Sequence, residues 1–276
     1  MLKRLLTFFI IVNISFLIAC GGRRLKGNLS IQERFAIAKE MFDDEDYLDA
    51  KTQFRIITLS YQGSSMIDSA QYYLAECHFH LKEYILASAE YQKVIKMFPH
   101  SSLVDDAQYK IGLCDYKLSP KYSLDQEYSH QAIRAFQQFL EEYPNSELAP
   151  QASQKLHELR TKLAKKNYKT AEIYFKMGDY EAAIVYFQAV IDAYYDTIFG
   201  PQAVFGKAKS LHKLNRLDEA EELFQTFIEK YPQHKLVSKA KKELKTLAKT
   251  KRDQLTESPN RSRTSAHIDS SKRNQR

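Results

Sequence analysis

The chain has 276 residues, 44% of them hydrophobic, and its 8 glycines and 7 prolines are too few for a turn-rich all-β fold, so long helices are expected. The formal net charge of +7 is unevenly placed: Lys3 and Arg4 supply +2 and residues 241–276 another +7, which leaves −2 for residues 20–240. A nearly neutral body argues against a nucleic-acid-binding domain.

In chain order, residues 1–19 come first. "MLKRLLTFFIIVNISFLIAC" has a charged start and an apolar run from Leu5 to Ile18 that is short for a mature membrane span, the pattern of an export signal rather than of a core helix or a short membrane anchor. Its ending, Leu17-Ile18-Ala19-Cys20, resembles the bacterial lipobox. That resemblance implies that Cys20 becomes the first mature residue and carries a diacylglycerol and an acyl chain such as palmitate; no other cofactor is expected. At about 0.8 kcal/mol per buried methylene, such chains anchor firmly. Gly21 and Gly22 follow, without the Asp that retains many such proteins at the inner membrane, so the periplasmic face of the outer membrane is the expected location. Residues 20–29 read as a tether, and Ser30-Ile31-Gln32-Glu33 as a capping box that starts the first helix.

From here the chain repeats itself. An apolar residue at Tyr47, Tyr84, Tyr180 and Leu217 is followed three positions later by Ala50, Ala87, Ala183 and Ala220. Four further on come Phe54, Tyr91, Phe187 and Phe224, and three beyond those Ile57, Val94, Val190 and Phe227. A fifth copy holds Ala132, Phe136 and Phe139. This i, i+4, i+7 spacing puts a small and two bulky residues on one helical face, so that a neighbouring helix can approach closely. The pattern resembles the tetratricopeptide repeat, which implies an all-α solenoid of five helical hairpins.

The marker alanines lie 37, 45, 51 and 37 residues apart. The surplus in the third repeat falls in "SPKYSLDQ", where Pro120 stops a helix and a surface loop follows. The surplus before the fourth falls in a stretch with no breaker from Gln151 to Met177, read as one long helix with Pro150 in its first turn and Leu156, Leu159 and Leu163 on its apolar stripe. The boundaries are therefore repeats 1 to 3 over 30–146, the long helix and repeats 4 and 5 over 147–234, a capping helix over 235–250, and a basic, unfolded tail over 251–276.

Aligned by their alanines, the first helices place Phe35, Tyr72, Tyr109, Tyr168 and Phe205 in one register, with Phe42, Phe79, Tyr116, Phe175 and His212 seven residues on. Such a ladder on an inner face can stack against an extended peptide, and Phe35, Phe42, Tyr72, Phe79, Tyr109 and Tyr116 are the candidate contacts. The plainer reading is packing between neighbours. Cys77 and Cys114 share a register in adjacent copies, about 10 Å apart by ordinary helix packing, too far for a disulfide, and read as small buried residues. Cys77 and His80 have no second ligand pair, and no nucleophile elbow, phosphate loop or HExxH stretch occurs, so neither a metal site nor an enzyme is expected.

Lipobox, five repeats, stretched junction and capping helix together resemble the BamD family of outer membrane assembly lipoproteins, most densely from Leu159 to Pro232. Leu159-Arg160 and Leu163-Ala164 fall where that family places Leu-Arg and Leu-Ala, whereas Asn167 replaces a usual glutamate and Tyr195 the proline of a turn. The resemblance implies a scaffold of the β-barrel assembly complex. Its C-terminal repeats would bind periplasmic domains of a BamA-like insertase, and its N-terminal repeats would receive the C-terminal signals of unfolded barrels. A repeat lipoprotein coordinating cell-wall synthesis or envelope constriction is the alternative.

Overall fold

The computed structural model describes the backbone of residues 29–272 and side chains through residue 254. The segment read as an export signal, Cys20 and nearly all of the expected tether lie outside the described residues. Eleven helices follow, with no strand among the described residues. They are α1 (Ile31–Asp43), α2 (Tyr47–Ser60), α3 (Ile67–His80), α4 (Tyr84–Met97), α5 (Val104–Leu118), α6 (Glu127–Glu142), α7 (Ala149–Met177), α8 (Tyr180–Ala193), α9 (Phe199–Lys213), α10 (Leu217–Lys230) and α11 (Val237–Lys272). Each packs on the next, which makes a solenoid of five tetratricopeptide-type hairpins, α1–α2 to α9–α10, closed by α11.

The alanine and aromatic markers explain the stacking. Ala50, Ala87, Ala132, Ala183 and Ala220 are all fully buried, and Phe54, Tyr91, Phe136, Phe187 and Phe224 sit beside them in the interior. Every core cluster is built on a second helix and draws residues from the first helix on either side: the first joins Ala38 and Met41 of α1 and Leu74 and Cys77 of α3 around Phe54 and Ile57. No hairpin can bury its second helix alone, so each depends on its successor. The long helix α7 serves two cores, with Ala152 and Leu159 in that of repeat 3 and Ala164 and Ala171 in that of repeat 4. The additional residues before the fourth repeat are thus a seam: one helix closes repeat 3 and opens repeat 4.

Caps and turns follow from local chemistry. Ser30 and Glu33 form the expected capping box, with the Glu33 amide donating to Ser30 Oγ at 3.3 Å and the Ser30 amide to Glu33 Oε2 at 2.9 Å. Between the helices of repeats 1, 2, 4 and 5 one residue takes the left-handed conformation: Glu45, Lys82, Gly178 and Asn215, with φ of 62°, 62°, 85° and 60°. All four lie five residues before the marker alanine, so the turn is identical although only one position is glycine.

Repeat 3 replaces this turn with the loop Ser119–Gln126. Gln126 Nε2 donates to the carbonyls of Lys121, Leu124 and Asp125 at 2.9, 3.0 and 3.2 Å. From α7, Lys162 Nζ reaches Ser119 Oγ at 2.5 Å and Lys166 Nζ the carbonyl of Leu124 at 2.8 Å. The insertion is therefore docked rather than free.

One boundary differs from expectation. The capping helix does not stop at residue 250, and the following segment is helical through Lys272 instead of unfolded. The first turn past the expected end is held by charge: Lys251 pairs with Asp218 at 2.6 Å and with Glu221, and Gln254 Nε2 donates to Asn215 Oδ1 at 2.9 Å. These partners lie in repeat 5, at least thirty residues away in sequence, so no local count of apolar residues points to them.

Candidate functional site

The first helices form an inner row. Those of repeats 3, 4 and 5 reach each other directly, α5 to α7 and α7 to α9, and the aromatic register follows this row of helices. Phe35 meets Phe54 edge-on at 5.5 Å, Tyr72 meets Tyr91 at 5.6 Å, Phe79 meets Tyr84 at 5.4 Å and Phe42 meets Tyr47 at 5.3 Å. Phe35, Tyr72, Phe79 and Phe42 are half-buried or nearly so, and each has an edge in its own hairpin's packing. Tyr116 donates from its hydroxyl to Glu158 Oε2 at 2.5 Å, with Lys155 Nζ 4.7 Å from its ring centre.

Tyr109 departs from the expected groove contact, because it is only 6% exposed and belongs to the core of repeat 3. Phe136 and Phe139 of α6 close on it, each at 5.7 Å, and Gly112 lets α6 come near: a Cβ there would lie 3.0 Å from the Phe136 ring. In repeat 3 the ladder ring is therefore a packing residue.

Charge lies between the rings, which the sequence reading passed over. Four residues beyond the first ladder position of each repeat stand Lys39, Glu76, Leu113, Glu172 and Lys209, on the same helical face as the rings. Glu76 is the buried member at 6% exposure. It accepts from the Tyr91 hydroxyl and from Lys110 Nζ at 2.7 Å, and Lys110 also lies 4.8 Å from the Phe79 ring centre. Burial, with Glu76 alongside, drives the hydroxyls of Tyr72 and Tyr91 far above their ordinary pKa, so both remain protonated donors. The available signal was the alignment itself, which sets Glu76 against Leu113.

The cysteines are inert. Cys77 and Cys114 are buried and unpaired, and burial pushes each thiol up to about 12, so neither is a thiolate at neutral pH. His80 stacks on Tyr47 at 4.5 Å. Among the described residues no three His, Cys, Asp or Glu side chains gather as a metal would require.

The motif residues of α7 hold the fourth repeat. Leu159 and Ala164 are fully buried and Leu163 nearly so. Arg160 grips the α8–α9 turn, donating to both Asp196 carboxylate oxygens at 2.6 and 3.1 Å and to the Ala193 carbonyl at 2.9 Å. That turn contains Tyr195, where a proline was expected.

A protein-family profile described as YfiO, outer membrane lipoprotein, matches residues 28–223. The outer membrane protein assembly factor BamD of Caulobacter vibrioides is 32% identical over 96 residues, which span 35% of this chain and 32% of that protein. Among solved structures, the TPR2AB domain of yeast Sti1 in complex with pHSP90 aligns with a TM-score of 0.41 at 15% identity, covering 82% of this chain and 85% of that one. A thermophilic TPR protein of Thermus thermophilus aligns with a TM-score of 0.33 at 15% identity, covering 79% and 99%.

Proposed function

Because the chain belongs to the YfiO family of outer membrane lipoproteins, we propose that it is a scaffold of the complex that assembles β-barrels into the outer membrane. In this reading Cys20 carries the lipid, the body stands in the periplasm, and repeats 4 and 5 bind periplasmic domains of a BamA-like insertase. The observation that carries it is the family match over residues 28–223, together with Leu159-Arg160 and Leu163-Ala164 at the seam. The work in this reading is that of a binding surface, with Arg160, the polar motif residue of α7, engaged in holding the turn after α8.

The N-terminal repeats are the proposed receiver of barrel C-terminal signals, through the rings Phe35, Phe42, Tyr72, Phe79 and Tyr116, and without Tyr109. An extended peptide ending in an aromatic residue would stack on these rings and gain affinity from apolar area removed from water. The test is binding of a labelled synthetic C-terminal barrel strand to the wild type and to Phe42→Leu/Phe79→Leu, which keeps most of the apolar volume. The expected result is about a tenfold loss of affinity with a nearly unchanged melting temperature, the size expected for losing ring stacking at two positions. Unchanged affinity per folded molecule would assign the rings to packing alone.

A further inference from the structure

The C-terminal half of the inner row differs in charge from the N-terminal half. Two adjoining clefts of about 160 and 350 Å³ lie along α7, α9 and α11 and share Phe205 and Lys209. Phe175 and Phe205 form the apolar floor, and Lys176, Lys209, Lys239 and Lys242 line the walls. Of the two carboxylates in the lining, Glu172 pairs with Lys169 at 2.6 Å, and Glu243 lies 3.3 Å from His212 Nδ1. None of the four lysines has a carboxylate within ion-pair distance among the described residues; Lys209 instead stands 5.2 Å from the Phe175 ring centre. Four lysines around two carboxylates leave the cleft with a positive charge, which favours an anionic group between them.

We propose that this cleft binds an acidic, extended polypeptide segment of a partner protein, with aromatic or aliphatic side chains on Phe175 and Phe205 and carboxylates between the lysines. Charge excludes the chain's own ends as occupants. Residues 21–28 carry three cations and no carboxylate, and residues 255–276 carry five Lys or Arg against two acidic residues. A bilayer is a poor fit because the apolar floor is recessed between three helices, where a flat surface meets only the rims. The inference is independent of the assembly-complex reading, since it rests on the shape and charge of this cleft alone.

The test uses the full lipidated chain in phosphatidylcholine vesicles and a fluorescent nonapeptide alternating glutamate with phenylalanine, against the same peptide with lysine for glutamate. The glutamate peptide is expected to bind about tenfold more tightly or better, and Lys209→Glu/Lys242→Glu to abolish that preference. Lys245→Glu, on α11 outside the cleft, is expected to leave it intact. Lys176→Gln/Lys239→Gln gives the same reading at smaller amplitude if the charge reversal perturbs folding. Equal affinity for the two peptides, or a preference that survives both double variants, would overturn the proposal.

Discussion

Asp115 makes stability depend on pH. It lines a cleft of about 370 Å³ between α4, α5 and α6, and burial raises its carboxyl to about 6, against a weaker opposing pull from Arg134. A raised acid pKa means that the folded state holds this proton more tightly than the unfolded chain, so its contribution falls as pH rises from about 4 to about 6. Asp115→Asn should therefore raise stability by about 1–2 kcal/mol at pH 8 and by nothing below about pH 4, after allowance for partial exposure. Urea melts of both proteins at the two pH values check this; equal stability at pH 8 would contradict it. Nothing in "IGLCDY" signalled the effect, because an aspartate between a cysteine and a tyrosine on a helix reads as a solvated face. The cleft it lines is closed by residues of α4 and α6, outside its own helix. The cysteines were legible for the opposite reason: their matched register marked them as repeats of one packing role.

At the scale of elements, the seam helix α7 is where a single contact matters most. The Arg160 guanidinium holds the Asp196 carboxyl below its usual range, chiefly through their hydrogen bonds, so the pair stabilises the fold at neutral pH and the contribution is lost as pH falls through about 4 and below. Arg160→Met should cost about 1 kcal/mol at pH 7, since the pair is partly screened by solvent, and the difference should be smaller at pH 3, where the bond to the Ala193 carbonyl remains. Thermal melts at both values are the check, and a cost independent of pH would mean that Arg160 acts through packing and the Ala193 carbonyl rather than through Asp196. Helix existence was legible here because no breaker interrupts Gln151 to Met177. The dual membership of α7 in two cores was not, since Ala152, Leu159, Ala164 and Ala171 form one continuous stripe whose division depends on which neighbours arrive. The end of α11 was misjudged for a related reason: Lys251 and Gln254 gain their helical hold from Asp218, Glu221 and Asn215.

For the molecule as a whole, cores that each span three successive helices make the stack a chain of shared interfaces, and α11 covers the last of them with Ala240 and Leu247. The inner row then divides into two surfaces. The N-terminal one is aromatic, with the buried charge of Glu76 neutralised by Lys110, and the C-terminal one is aromatic with unneutralised lysines. Two chemically distinct faces on one stack suit a scaffold that holds different partners together. Repeat number and the shared aromatic register of the first helices were readable from spacing alone. The charge difference was not, because it depends on which lysines find carboxylates in three dimensions. Membership of the barrel assembly complex is tested most directly by capturing the lipidated chain from mildly detergent-solubilised outer membranes and quantifying the barrel insertase that comes with it. Recovery of the insertase in near-equal amount to the chain is expected; an insertase-free eluate in which the chain remains folded and lipidated would rule out membership.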